Sequence, residues 1–224
     1  GSIGLILLYG IMSLLGIGSI PATRAAAVGL GIVTVFPYMK CMKENAQKQS
    51  EMSPERGTED KTSWISAMAI AFIFAMLLLQ IGRMNICADY DSLHYGLRSE
   101  YVFNDGDGIF ENMGSINVVY TYSKGLETLL LPISGLPSYS FFLSFQVWMT
   151  LGILMAAAEI AGMFTEKRWK LLCMVLLASI PAITNMGITA KTDSATCLFQ
   201  LVMTYFLLQF VMEQKTVAFA MAGN

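Results

Sequence analysis

The sequence predicts an all-α integral membrane protein with about six transmembrane helices and a large extracytoplasmic loop that contains interfacial amphipathic helices. Apolar residues make up 55% of the chain and charged residues only 13%, a balance outside the range of soluble globular domains. Apolar runs of about 18 or more residues, each able to cross roughly 30 Å of hydrocarbon, recur along the chain. A long polar loop, residues 83–137, separates two of these runs.

The apolar runs define the expected helices in order. Five are long enough to span a bilayer, namely residues 3–20, 64–82, 139–164, 171–188 and 195–212. A shorter, glycine-rich run at 25–39 follows Pro21, and we predict that it completes a tight hairpin with the first run. The chain starts without methionine and stops soon after the last run, which favours a fragment of a longer protein.

Composition divides the chain into three regions. Residues 1–43 form an N-terminal two-helix membrane hairpin, and residues 64–224 form a second membrane module, truncated at its C-terminus, that contains the loop 83–137. Between them, residues 44–63 are polar and mixed in charge. Such a stretch buries too little apolar surface to offset its ordering entropy, so we predict a flexible cytoplasmic linker.

Basic residues predict the orientation. They collect between the second and third runs, between the fourth and fifth, and after the sixth, which makes that side cytoplasmic and places the loop 83–137 outside. The formal net charge of −2 gives no reason to expect a nucleic-acid partner. The four cysteines, Cys41, Cys87, Cys173 and Cys197, show neither a disulfide framework nor metal-ligand spacing.

The loop opens with NICADYDSLHYG, residues 85–96, which contains the only histidine of the chain. Apolar and aromatic residues recur at helical spacing after Asp91, and Asp89 or Asp91 is a suitable N-cap, so we predict a helix lying at the membrane interface. Asp91, His94 or Tyr95, and Arg98 would share one face of it. A second amphipathic stretch at 120–131 leads into the fourth run.

The stretch YDSLHYG resembles the first outer-loop motif of the polyprenyl-phosphate-sugar glycosyltransferases of the GT-C fold, such as protein O-mannosyltransferases and aminoarabinose transferases. In those enzymes the motif is an aromatic residue, Asp and Glu, followed by His or Arg and an aromatic residue. Tyr90, Asp91, His94 and Tyr95 match this pattern, whereas Ser92 replaces the glutamate.

Two later stretches extend the resemblance to residues 64–212. SKGLETLLLP, residues 123–132, is similar to the lysine-containing stretch of the family, without its paired prolines. TAKTDSATCLF, residues 189–199, looks like the second outer loop, where a lysine or aromatic residue precedes an aspartate at the mouth of the next span. The resemblance implies an integral protein of the bacterial cytoplasmic (plasma) membrane with its active site facing outward.

The implied reaction is transfer of a sugar from a polyprenyl-phosphate donor to an acceptor hydroxyl on a glycan, lipid or protein, with inversion at the sugar. The leaving phosphate needs no proton, so one carboxylate acting as general base suffices, and we assign that role to Asp91. Cations should stabilise the departing phosphate. Lys124 is the first candidate by its position in the family pattern, followed by Arg98 and Lys191, and His94 and Tyr95 complete the expected donor site.

Two carboxylates have alternative roles. Asp193, at the start of an apolar run, is either a helix N-cap or a pocket residue facing Lys191 and the first outer loop, and we include it in the expected donor site. Asp89 and Asp91 also match the DxD motif, whose two aspartates hold Mn²⁺ or Mg²⁺ in metal-dependent sugar transferases. A metal site at these two residues is therefore the alternative to a transferase without a cofactor. For each lysine or arginine proposed to bind the phosphate, the alternative is that its side chain only extends to the membrane surface to keep its charge in water.

Two other classes of function fit a chain of this composition. A transporter or flippase would use polar residues and helix breaks within the membrane, and Pro181 and Asn185 are the clearest such features. A non-catalytic membrane assembly subunit would not need Asp91. The clustering of Asp91, Lys124 and Asp193 in one outer cavity would favour the enzyme, and their dispersal would favour the other two classes.

Overall fold

The computed structural model describes residues 2–51, 63–85, 89–92, 125, 127–138, 140–166 and 168–213, and within these ranges every regular element is helical. The predicted all-α class is therefore confirmed for this part of the chain. The helices are α1 (Ser2–Leu14), α2 (Ile20–Glu51), α3 (Ser63–Arg83), a 3₁₀ helix (Glu127–Ile133), α4 (Ser140–Phe164), α5 (Arg168–Ala178), α6 (Pro181–Met186) and α7 (Asp193–Glu213).

Three helices are long and apolar enough to cross a membrane. These segments, Trp64–Arg83, Ser140–Phe164 and Asp193–Met212, coincide with the predicted third, fourth and sixth spans. Shorter apolar helical segments lie at Gly4–Leu14, Ile20–Phe36 and Trp169–Ala178. The three long helices indicate a membrane protein, and the count of six spans stays a prediction.

The first predicted span is interrupted, because α1 ends at Leu14 rather than continuing to residue 20. Gly16 adopts a φ of 68°, the left-handed conformation that glycine takes without steric cost. The N–H of Gly16 donates to the carbonyl of Ser13 at 3.0 Å, and the N–H of Ile17 donates to that of Met12 at 2.9 Å. This pair of bonds is a Schellman motif, which closes a helix in the middle of an apolar run.

The second and fifth predicted spans also differ from the structure. Helix α2 continues from Ile20 to Glu51, so residues 44–51 of the predicted linker are helical, while residues 52–62 lie outside the described ranges. The fifth run is divided into α5 and α6 at Pro181. Ile180 is extended, with φ −78° and ψ 115°, because a proline disfavours helical geometry in the residue before it.

Helix α4 is the centre of the bundle, packing against α5 and α7, while α3 packs against α5. Near its first residues, Phe142 and Leu143 form a buried cluster with Leu130 of the 3₁₀ helix and Ala190. We call this end of the bundle the loop end. Farther along α4, Leu154 packs in a second cluster with Ile73 and Ala178. The first cluster thus holds segments that follow α3 and α6 against the start of α4.

The N-terminal hairpin docks on the 3₁₀ helix. Tyr9 of α1 and Leu131 pack together and are buried. Arg24 of α2 donates from Nε to the carbonyl of Pro132 and from Nη2 to the carbonyl of Ser134, both at 2.8 Å. The start of α2 therefore lies at the loop end of the bundle.

We expect Arg24→Met to lower the free energy of unfolding by about 1.5–3 kcal/mol, because the two carbonyl oxygens lose a charged donor. Thermal unfolding of the purified protein in detergent measures this change. Arg24→Lys, which keeps one donor, should be intermediate. Equal unfolding midpoints for wild-type protein and Arg24→Met would contradict a structural role for this contact.

The carboxylate of Glu159, inside the fourth predicted span, lies toward the opposite end of α4. Its Oε2 atom is 2.6 Å from Nζ of Lys170 on α5, and the Glu159 side chain is 54% exposed. The pair therefore satisfies this charge by joining neighbouring helices. It also provides a reference ion pair far along α4 from the loop end.

Candidate functional site

Asp89 organises the backbone that follows α3. Its Oδ2 atom accepts from the N–H of Ser92 at 3.0 Å and from the hydroxyl of Ser92 at 2.9 Å. An aspartate that accepts from an amide three residues later is an N-cap, which satisfies a donor that the first turn leaves open. Asp91 lies within this turn. Asp89, one of the two N-caps that the sequence allowed, thus has this role in the structure.

Ser92 joins this turn to the segment between α6 and α7. Its Oγ atom accepts a hydrogen bond of 2.8 Å from the N–H of Ala190, 98 residues away in sequence. Ser92 is fully buried and Ala190 is 4% exposed, so the contact is shielded from water. The residue that departs from the glycosyltransferase motif is thus the one that connects the two loops.

The two loops bring an ammonium group to two carboxylates. Nζ of Lys191 is 2.7 Å from Oδ2 of Asp91 and 3.7 Å from Oδ2 of Asp89. The side chains of Lys191, Asp89 and Asp91 are 25%, 32% and 39% exposed. Asp91 is therefore neither sealed in a dry contact nor isolated from a basic neighbour. A partly exposed carboxylate can take a proton from a hydroxyl, and the ammonium can bind a phosphate.

The site lies at the loop end, close to the start of α4. Oγ of Ser140, the first residue of α4, donates to Oδ1 of Asn85 at 2.9 Å, which ties the chain just after α3 to α4. Tyr90, beside Asp91, is 69% exposed. An aromatic ring and a charged cluster are thus both accessible at one end of the helices, where a polar group and an apolar chain could be bound together.

Asp193 begins α7 and its side chain is exposed. A carboxylate in the first turn of a helix is favoured by the helix dipole. Among the described residues, the ion pairs of Lys191 run to Asp89 and Asp91 rather than to Asp193. The geometry therefore favours a helix-start role for Asp193 over the pocket role.

The structure tests the remaining predicted site residues only in part. Lys124, Arg98, His94 and Tyr95 lie outside the described residues, so their roles in donor binding stay predictions. For the DxD alternative, the described ranges contain no group of three or more metal-ligating side chains around Asp89 and Asp91. The ammonium of Lys191 supplies a positive charge to both carboxylates, and the metal alternative stays a hypothesis.

Two buried glutamines that sequence reasoning did not select donate to backbone carbonyls of residues 181–192, but only Gln146 contacts Lys191. Gln146 of α4 donates from Nε2 to the carbonyl of Lys191 at 2.6 Å, and Gln80 of α3 donates from Nε2 to the carbonyl of Thr184 at 2.9 Å. A Cβ atom on Gly187 would lie 2.5 Å from Oγ1 of Thr150, so a glycine is required for this close approach. The sequence feature that could have identified both glutamines is a polar amide within an apolar run, because such an amide needs a hydrogen-bond partner when it is buried.

Comparison with known proteins found no matching family model, no similar curated protein and no similar solved structure. The resemblance to lipid-linked glycosyltransferases therefore stays a hypothesis that depends on short motifs. The geometry of Asp89, Asp91 and Lys191 is a separate observation, because it comes from contacts between loops that are distant in sequence.

We expect Ser92→Ala to lower the free energy of unfolding by about 1–3 kcal/mol, because the buried N–H of Ala190 loses its acceptor. Thermal unfolding in detergent measures the effect. Ser144→Ala is the matched control, since Ser144 donates only to the nearby carbonyl of Phe141. Its effect should stay within about 0.5 kcal/mol, as for most substitutions away from a buried network. Equal losses in both variants would show that Ser92 does not join the loops.

Proposed function

We propose that this protein is a membrane glycosyltransferase that moves a sugar from a polyprenyl-phosphate donor to an acceptor hydroxyl on the extracytoplasmic face, with inversion. The observation that carries the proposal is the distance of 2.7 Å between Nζ of Lys191 and Oδ2 of Asp91. A proton acceptor and a phosphate-binding cation are the two groups that this reaction requires. Both are partly exposed at the loop end.

In the proposed reaction, Asp91 takes the proton of the acceptor hydroxyl while the acceptor oxygen forms a bond to the anomeric carbon of the sugar. The bond between that carbon and the phosphate oxygen breaks, and its electron pair leaves with the lipid phosphate. The phosphate carries this charge without a proton, so no second acid is needed. Lys191 stabilises the charge that develops on the leaving group.

The resting ion pair has a consequence for the order of events. The ammonium of Lys191 is held by Asp91 and, at a longer distance, by Asp89. A bound donor phosphate competes with these carboxylates for the ammonium, since phosphate is a strong acceptor of charged hydrogen bonds. Donor binding thereby loosens Asp91 from its partner and leaves its oxygen accessible to the acceptor hydroxyl.

In this proposal the donor site also includes Lys124, Arg98, His94 and Tyr95, because of the motif resemblance to the glycosyltransferases. Six spans, residence in a bacterial plasma membrane and an outward-facing site complete it. Support for one shared membrane face comes from Arg24, Asp91 and Lys191, which all lie at the loop end of the helices. The lysine and arginine residues that follow the second, fourth and sixth predicted spans give the cytoplasmic assignment.

The metal-dependent form of this function would use Asp89 and Asp91 as ligands of Mn²⁺ or Mg²⁺. We propose the metal-free form because Lys191 already provides a cation next to both carboxylates. Transfer that persists in a chelator supports this choice. Loss of transfer in the chelator, reversed by Mn²⁺ or Mg²⁺, would replace it with the metal-dependent form.

A transporter or flippase is the second candidate, and the break between α5 and α6 favours it. The break at Pro181 lies near Gln80, a buried amide on a helix long enough to span a membrane. Discontinuous helices with polar side chains mark substrate sites in many transporters. A non-catalytic assembly subunit is the remaining alternative, for which the ion pair would only join two loops.

The test is transfer in vitro by the full-length protein in liposomes from a panel of polyprenyl-phosphate sugars to a mixture of hydroxyl acceptors. We expect a glycosylated product and released lipid phosphate from at least one donor. Movement of a donor across the bilayer is measured in the same vesicles. Movement without transfer would favour the flippase, and neither activity would favour the assembly subunit.

A further inference from the structure

Lys191 lies in a non-helical segment between α6 and α7, so the direction of its side chain depends on how its backbone is held. Two long-range hydrogen bonds fix this backbone. Ser92 accepts from the N–H of Ala190, and Nε2 of Gln146 donates to the carbonyl of Lys191 at 2.6 Å. We infer that Gln146 is a positioning residue, which acts through the backbone of Lys191 to keep its ammonium beside Asp91.

Gln146 is well placed for this role. It is 2% exposed and lies on α4, one of the helices long enough to span a membrane. Thr150, one turn later, donates from Oγ1 to the carbonyl of Gln146. Because the carbonyl of Lys191 can only accept, the Gln146 amide must present its NH₂ group to it. The orientation of the glutamine is thus determined by its partner.

Burying the Gln146 side chain has an unfavourable free energy. Its Oε1 atom is buried and has no hydrogen-bond partner among the described residues. A buried amide oxygen without a partner is unfavourable, and an apolar side chain of the same shape would avoid that penalty. The bond to Lys191 is the contact that distinguishes glutamine from such a side chain, and its acceptor is the backbone of the residue whose ammonium lies beside Asp91.

Gln80 offers a matched comparison. It is also buried, at 4% exposed, also leaves Oε1 without a partner among the described residues, and also donates from Nε2 to a backbone carbonyl. Its acceptor, however, is Thr184 within α6 rather than Lys191. The same substitution at Gln80 therefore removes the same kind of bond without touching the backbone of Lys191.

The first test needs no substrate. In the purified full chain, we expect an amine-reactive acylating reagent to modify Lys191 slowly, because the amine must first leave its ion pairs. Gln146→Met, similar in volume, should raise the acylation rate several-fold, whereas Gln80→Met should leave it at the wild-type value. Lys170, paired with Glu159 farther along α4, is the internal reference. Mass spectrometry of the two lysine-containing peptides gives both rates.

The second test rests on the proposed function and measures transfer. A displacement of about 1 Å in a positioned group can cost about 100-fold in rate. We expect Gln146→Met to lower kcat/KM by about 10- to 100-fold, mainly through a higher KM for the donor, and Gln80→Met to change it by less than about threefold. Gln146→Asn, which keeps an amide but is one carbon shorter, should act in the same direction and replaces Gln146→Met if that variant does not fold.

The two tests separate failure of this inference from failure of the proposed function. Unchanged acylation of Lys191 in both Gln146 variants would overturn the positioning role, whatever the transfer assay shows. Equal effects of the Gln80 and Gln146 substitutions on both readouts would also overturn it. Faster acylation in the Gln146 variants of a protein that transfers no sugar would support the positioning role and reject the glycosyltransferase.

Discussion

Asp91→Asn is expected to lower the rate of sugar transfer by about 100- to 10,000-fold, the range typical for loss of a positioned general base. The amide has nearly the shape of the carboxylate but does not take a proton from a hydroxyl. The initial rate of product formation from a lipid-phosphate sugar measures this loss. A thermal unfolding midpoint within a few degrees of the wild-type value would show that the variant is still folded.

Glu159→Gln is the matched control for this prediction. It makes the same carboxylate-to-amide change in a partly exposed ion pair, but far along α4 from Lys191. We expect it to retain transfer at nearly the wild-type rate. Transfer at the wild-type rate by Asp91→Asn would reject Asp91 as the base.

Asp89→Asn distinguishes the metal-free site from the metal-dependent one. Asparagine is as good an N-cap as aspartate, so the turn that ends at Ser92 should persist. In the metal-free site, Asp89 only supports this turn and the more distant ion pair of 3.7 Å, so its amide variant should transfer far better than Asp91→Asn. In a metal site both ligands are needed, and the two variants would be similarly impaired.

Lys191→Met is expected to raise KM for the donor and lower kcat/KM by about 10- to 100-fold, the equivalent of one charged hydrogen bond. The substitution removes the cation that binds the phosphate. It also leaves Asp89 and Asp91 facing an anionic donor without the ammonium between them. Steady-state kinetics over a range of donor concentrations measures both parameters, and Lys191→Arg should recover part of the loss because it keeps the charge.

Lys170→Met is the matched control, since Lys170 pairs with Glu159 at 2.6 Å toward the opposite end of α4. It should leave KM for the donor unchanged. If Lys191→Met lowers kcat without raising KM, Lys191 does not bind the donor phosphate in the ground state. If it changes neither parameter, the ion pair with Asp91 has no part in transfer.

Much of the architecture could be predicted because it depends on local properties of the chain. Apolar composition and run length indicated the helical class and the segments Trp64–Arg83, Ser140–Phe164 and Asp193–Met212. The break at Pro181 follows from the geometry of proline, although residues 171–188 were predicted to form one continuous span. The end of α1 was not foreseen, because the Schellman motif at Gly16 interrupts a run whose hydrophobicity continues.

For the candidate site, the sequence allowed some of the residues to be predicted but not the contacts between them. Asp91 and Lys191 were both selected from the sequence, but Lys124 ranked above Lys191, and spacing offered no means of pairing a lysine with an aspartate in another loop. The pairing depends on Ser92, which departs from the expected motif, and on Gln146, which lies inside an apolar run. Both side chains act through backbone groups of a distant segment.

The sequence by itself determined where helices form and which loops contain charge, because helix hydrogen bonds and hydrophobic run length involve neighbouring residues. Only the tertiary structure decided that the turn after α3 meets the segment before α7, and that the ammonium of Lys191 lies beside Asp91. The physical reason is that these contacts need buried donors and acceptors to match across 98 residues of chain, and such a match depends on how the helices pack.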